Sequence, residues 1–155
     1  MDAVTDKSKK RLYESRIIQE DITQLAKNLK SYHKHFENST FLVTGAGGFL
    51  GNYITLLLRH MNQHHLHNKK LKAILLDNFI TGYEQQIISD DHIVFRRQNV
   101  IEPVKLDEKV DYIIHAAGIA SPVYYTKYPI ETMDVGTIGT RNMLELAREK
   151  KVKSF

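Results

Sequence analysis

Apolar side chains in the first part of the chain recur at Ile18, Ile22, Leu25, Leu29, Tyr32 and Phe36. The alternating steps of four and three predict an amphipathic helix with one apolar stripe, to be buried against the rest of the protein or a partner. Glu37-Asn38-Ser39 breaks the period and reads as a linker. From Thr40 onward short apolar runs alternate with longer helical stretches. Strands are predicted at 41–44, 72–77, near 93–96 and at 111–116, with a helix near 49–61. A further helix runs from Ile130 to Lys150, carrying Met133, Ile138, Met143, Leu144 and Leu146 and entered through Pro129 as a first-turn residue. Val152 to Phe155 reads as the start of another strand. This order predicts an α/β fold with a doubly wound parallel sheet, residues 39–155 forming the domain and residues 1–38 a helical extension.

The first strand, Phe41-Leu42-Val43-Thr44, runs straight into Gly45-Ala46-Gly47-Gly48-Phe49-Leu50-Gly51. A Gly-x-x-Gly-x-x-Gly turn between a strand and a helix has a physical purpose at each glycine. Gly45 permits the tight turn, Gly48 lets backbone approach a pyrophosphate, and Gly51 lets the helix pack close on the strand. Gly47 is an additional glycine, and Leu50 stands where the narrower Gly-x-Gly-x-x-Gly spacing would place its third. The helix start, at Phe49 and Leu50, supplies free N–H groups to phosphates. Asp77 closes the second strand 26 residues after Gly51. A carboxylate there accepts hydrogen bonds from the hydroxyls of an adenosine ribose and repels a 2′-phosphate, which favours NAD over NADP. The expected architecture is therefore of the Rossmann type.

Other candidates follow the strand ends. Asn78, Thr81 and Gly82 lie in a polar turn after the second strand, placed to face the ribose or to serve turn chemistry alone. Asn99-Val100 offers an amide and backbone groups to an adenine edge, and Asn is equally a routine turn former. Ala116-Ala117-Gly118 ends the fourth strand in small residues, so that backbone can lie flush against a flat ligand. His115, beside them, reads as a hydrogen-bonded core histidine. His60, His64, His65 and His67 read as part of a solvated connection and not as a metal site, with no carboxylate among them.

Length and composition restrict the alternatives. The chain has 155 residues, 42% hydrophobic and 26% charged, which suits one soluble globular domain. No apolar run approaches the roughly 20 residues of a membrane span. The N-terminus lacks the pattern of a secretory signal, so a cytoplasmic address is expected. There is no cysteine, which excludes disulfides and thiol chemistry. The net charge of +4 is modest and scattered, so nucleic acid is not an expected partner. Lys7, Lys9, Lys10 and Arg11 form the densest basic patch and read as a solvated terminus.

Thr44 to Gly51, Asp77-Asn78-Phe79, His115-Ala116-Ala117 and Gly139-Thr140-Arg141-Asn142 together resemble the extended short-chain dehydrogenase/reductases. Ala120-Ser121-Pro122, Tyr125 and Tyr128-Pro129-Ile130-Glu131-Thr132 look most like UDP-glucuronate decarboxylases and dTDP-glucose 4,6-dehydratases. The resemblance covers residues 40–155 and leaves the N-terminal helix outside the usual pattern. It implies an NAD that oxidises a nucleotide-linked sugar at C4 and returns the hydride, with a Ser or Thr and a Tyr-x-x-x-Lys moving the protons. No tyrosine of this sequence has lysine four residues on. The resemblance places those residues after the strand that begins at Val152, so the chain reads as the N-terminal portion of such an enzyme, inactive alone. Gly136 stands where the family's helix carries Asn. A non-catalytic NAD-sensing module, or an interaction protein using the N-terminal helix, are the competing expectations. A fourth strand whose outer neighbour is only four residues long would expose Tyr112, Ile113 and Ile114, so oligomerisation or association with a further segment is expected.

Overall fold

A computed structural model describes residues 15–82, 84 and 87–155. The basic cluster Lys7, Lys9, Lys10 and Arg11 lies outside the described residues. Four parallel strands, β1 (Thr40–Thr44), β2 (Lys72–Asp77), β3 (Ile93–Arg97) and β4 (Tyr112–His115), form a sheet in the order β3-β2-β1-β4. Val43 is in register with Leu75 on one side and Ile114 on the other. The two central strands are buried almost throughout, as parallel strands covered on both faces must be. Alternation divides their side chains between two cores. Phe41, Val43, Ala73 and Leu75 meet Leu58 and Met61 of α3 (Phe49–His64). Leu42, Ile74 and Leu76 meet Met143 and Leu146 of α6 (Thr140–Lys150) on the opposite face. The predicted parallel α/β architecture is observed.

The N-terminal stripe does not form one helix. α1 (Arg16–Asn28) stops at Leu29, a 3-10 turn covers Lys30–Tyr32, and a short α2 (His33–Phe36) follows. The buried face of α1 is Ile18, Ile22 and Ala26, at steps of four, while Leu25 and Tyr32 of the expected stripe are exposed. Ile18 and Ile22 pack with Leu56 and Ile88, and Tyr53 and Leu57 lie against the same cluster. The break at Leu29 redirects the chain. It brings Phe36 edge-on to Phe41 and Tyr112, with centroids 5.3 and 5.9 Å away. Docking on the core thus overrides a simple periodicity.

Three further differences concern helices and the sheet edge. α3 continues to His64, so His60 and His64 lie on a helix and not in a connecting loop. The helix expected from Ile130 begins at Pro129 but is divided into α5 (Pro129–Asp134), a π-helical turn at Val135–Gly139 and α6, preceded by a short α4 (Pro122–Lys127). Gly136 sits in that π turn with nothing within 4 Å of where a Cβ would stand. At the outer edge of β4, Ser154 forms a parallel bridge with Tyr112, and Ile113 N–H donates to the Ser154 carbonyl. Ile113 is only 3% exposed in the α6 core, and the Tyr112 ring stacks on Phe41 at 4.7 Å. The apolar edge expected to be bare is therefore largely covered by packing across the sheet faces.

Asp111 ties this edge together. Its carboxylate is 3% exposed and accepts hydrogen bonds from the Thr40 N–H at 3.0 Å and from Lys109 Nζ at 2.7 Å, with Lys153 Nζ at 3.1 Å. Burial alone would raise its pKa; the Lys109 ammonium, the Thr40 amide and Lys153 outweigh burial and hold it below the ordinary aspartate value. Its contribution is fully present above the ordinary aspartate range and is lost as pH falls through the depressed native value. Asp111→Ala leaves the Thr40 amide without this acceptor and should cost about 1–3 kcal/mol by urea unfolding near neutral pH. The difference from the parent chain should shrink in acid; equal stability at neutral pH would refute the role.

Candidate nucleotide-binding site

An open cleft lies at the carboxyl ends of the strands, where the sheet order reverses between β1 and β4. Gly45 and Gly48 form part of its floor. Asp77, Asn78 and Thr81 line the side beyond β2, Asn99 and Val100 the side beyond β3, and Ala116, Ala117 and Gly118 the side beyond β4. Ten of the candidate residues from four separated segments thus converge on one cavity. Phe49, Leu50, Gly47, Gly51 and Gly82 do not line it.

Those five nevertheless shape the site. Phe49 and Leu50 turn exposed side chains outward from the first turn of α3, whose N-terminus has no side-chain cap. As first-turn residues of α3 they carry backbone amides without intrahelical partners. Gly51 lies so close to Gly45 that a Cβ would fall inside the contact distance of the Gly45 carbonyl oxygen. Gly45 has φ +69° and a Cβ there would stand 2.6 Å from the Ala116 carbonyl oxygen. The turn is therefore wedged between the start of α3 and the end of β4.

Asp77 organises the second wall. Its Oδ2 accepts the Gly47 N–H at 2.8 Å, and its Oδ1 accepts the Phe79 N–H at 2.6 Å. Phe79 adopts φ +58°, and its ring comes within 2.7 Å of where a Gly47 Cβ would be. On its other side the Phe79 ring meets Phe95 at 5.2 Å and the Arg97 guanidinium at 5.0 Å. A Gly82 Cβ would stand 2.9 Å from the Gly47 backbone, so the turn after β2 rests directly on the glycine turn. Asn78 and Asn99 accept N–H bonds from Ile80 and Ile101, two residues on, so each shapes its own turn while lining the cleft.

Thr44 links the ends of β1 and β4. Its hydroxyl accepts the Ala117 N–H at 3.2 Å and lies 2.7 Å from His115 Nδ1. Burial pushes the His115 pKa below the ordinary imidazole value, in keeping with a neutral, hydrogen-bonded ring. Gln98, Ile101 and Ile119 also line the cleft, as do Glu131 and Val135. Gln98 was accessible to the rule that ligands sit beyond strand ends. Glu131 and Val135 arrive on α5 and the π turn, which no local pattern connects to the glycine turn.

The sequence pattern of the NAD dependent epimerase/dehydratase family matches residues 41–155. The chain belongs to this family. It is 35% identical over 114 residues to UDP-glucuronic acid decarboxylase 6 of Arabidopsis thaliana, and 35% identical over 115 residues to UDP-glucuronic acid decarboxylase 1 of Danio rerio. Each match takes in 72% of this chain but only 31% and 25% of the relative. The chain thus spans under a third of the length of these relatives. Among solved structures, the epimerase Mth375 of Methanothermobacter thermautotrophicus superposes with TM-score 0.63 at 23% identity, over 80% of this chain and 36% of that one. The dTDP-glucose 4,6-dehydratase DesIV of Streptomyces venezuelae, solved with NAD and TYD bound, superposes with TM-score 0.62 at 20% identity, over 74% of this chain and 37% of DesIV. Those likenesses show the shared fold.

The close approach at Gly51 makes the family's glycine turn testable as packing. Gly51→Ala must drive α3 away from Gly45 and should cost about 3 kcal/mol in thermal unfolding, through overpacking. Gly136→Ala has free space at its Cβ and should not destabilise. Equal loss in both variants would show that helix geometry, and not the turn, sets the requirement.

Proposed function

We propose that this chain is the NAD-holding part of a nucleotide-sugar enzyme, in which a sugar is oxidised at C4 and later reduced again. The observation that supports it most is the uncapped α3 N-terminus above a glycine floor, beside a carboxylate at the end of β2. In this reading the pyrophosphate rests on the amides of Phe49, Leu50 and Gly51, and Gly45 and Gly48 leave it room. Asp77 uses one lone pair of each oxygen on Gly47 and Phe79, which leaves acceptor capacity for two ribose hydroxyls. Asn78 and Thr81 complete the ribose wall. Asn99 and Val100 take the adenine, and Ala116 to Gly118 face the far half of the dinucleotide. NAD supplies the acceptance and return of a hydride; these residues bind and orient it.

The relatives' names favour a UDP-linked uronic acid as the sugar and decarboxylation as its fate. DesIV, a dehydratase solved with NAD, supports the cofactor and a related use of it. The proton-transferring Tyr-x-x-x-Lys is absent from the 155 residues, so no catalytic residue is assigned here. No helix among the described residues is long and apolar enough to cross a membrane, and we place the chain in the cytoplasm.

Titration calorimetry on the full chain tests the site. Gly48→Val should abolish measurable NAD binding by blocking the phosphate approach. Asp77→Ala should narrow the preference for NAD over NADP, while also weakening NAD by freeing the Gly47 and Phe79 amides. Unchanged NAD affinity in Gly48→Val removes the proposed site.

The outer faces of α4 to α6 leave Val123, Ile130, Met133, Ile138 and Leu144 exposed, between 45% and 73%. We propose that this apolar surface supports association, with itself or with further nucleotide-sugar enzyme structure. Light scattering should show a concentration-dependent rise above the monomer mass that Ile130→Glu with Met133→Glu suppresses. A monomer at all concentrations would exclude self-association.

A further inference from the structure

Four imidazoles outside the cleft meet at the far end of α3. His60 and His64 lie one helical turn apart with ring centroids at 4.3 Å, and His65 follows at the helix end, 5.6 Å from His60 and 6.5 Å from His64. His33 reaches in from α2, 4.7 Å from His65. Two separate stretches of the chain, α2 and the end of α3, therefore contribute to one cluster, and it joins the N-terminal extension to the domain. His60, His65 and His33 are half-buried and His64 is exposed, so the cluster is open to solvent ions.

We propose that the His60–His64 pair, with His65 completing it, binds a borderline divalent transition ion of the zinc, nickel or copper class. Histidines at i and i+4 on one helical face are spaced for two-point chelation. Imidazoles without thiolate or clustered carboxylate favour these ions over magnesium or calcium. Among the described residues no three side chains already stand as a metal-holding group. The ion is thus first held by the helical pair with water, and His65 joins by side-chain rotation. His33 adds a supporting feature. Its Nε2 lies 3.0 Å from the Ala26 carbonyl and in the Nε2–H tautomer donates to it, which leaves Nδ1 with a free lone pair on a ring 4.7 Å from that of His65.

The local electrostatics favour neutral ligands. Burial lowers the His60 pKa, and His64 and His65 lower it further; burial likewise leads for His65, followed by His33, His64 and His67. The other charges near the cluster are Arg59, which lines a small cleft with His60 and faces Asp90 at 3.8 Å, and the Lys69–Glu37 pair at 2.9 Å. Protons and the ion compete for the same nitrogens, so binding weakens as the solution is acidified.

The test uses the untagged full chain with zinc chloride, read by calorimetry and by thermal unfolding. One ion per chain should bind near pH 7.5 and raise the unfolding temperature. His64→Asn, a change at an exposed position, should weaken binding at least tenfold, and His60→Asn with His64→Asn should abolish it. His92→Asn, outside the cluster, should leave zinc binding unchanged, and magnesium in place of zinc should show no binding. At pH 5.5 binding should fall at least tenfold. No binding at pH 7.5, or binding that survives the double variant, overturns the proposal.

Discussion

The carboxylate of Asp77 is the constraint on which the site depends. Carried to the end of β2 by a buried strand, it accepts one amide from the glycine turn and one from the segment after β2. Charge-assisted bonds of this kind are stronger than neutral ones, and they are made in a 9% exposed setting where losing them would leave an uncompensated charge. The glycine turn and the segment after β2 are therefore held by one side chain. The ring of Phe79 then closes against Gly47, the additional glycine of that turn, whose lack of a side chain leaves the ring its room although Gly47 does not touch the cavity.

The same economy appears at the opposite wall. Thr44 ends β1 and, through its hydroxyl, fixes the backbone at Ala117 and the ring of His115. Gly45 follows immediately and fits only because it lacks a side chain against Ala116. Thus both edges of β1 are tied to their neighbours just where the strand gives way to the turn. The cleft there inherits the rigidity of the sheet, and the N-terminus of α3 meets it without a side-chain cap.

The extension is held by different means. Ile18, Ile22 and Ala26 bury its first helix, and a break at Leu29 turns the chain so that Phe36 reaches Phe41 and Tyr112 at the sheet. The histidine cluster sits beside that turn, between α2 and the end of α3. The cleft lies at the N-terminal end of α3 and the histidine cluster at its C-terminal end, so the two can be perturbed separately.

Much of this was legible in local pattern. Short apolar runs marked the four strands, and glycine placement with Asp77 marked the start of α3 and the cleft, because backbone geometry depends on near neighbours. The length of α3, the break at Leu29 and the division of the helix after Pro129 were not legible, since each is decided by what the segment packs against. Glu131 and Val135 entered the cleft wall, and Ile113 and Tyr112 were covered at the β4 edge, only through contacts between residues far apart in the chain. Residue order alone settled the α/β architecture and the family's glycine turn, because each glycine answers to a local steric demand. Tertiary packing settled which amides Asp77 would hold and which histidines would meet, because those distances exist only once separate segments are brought together.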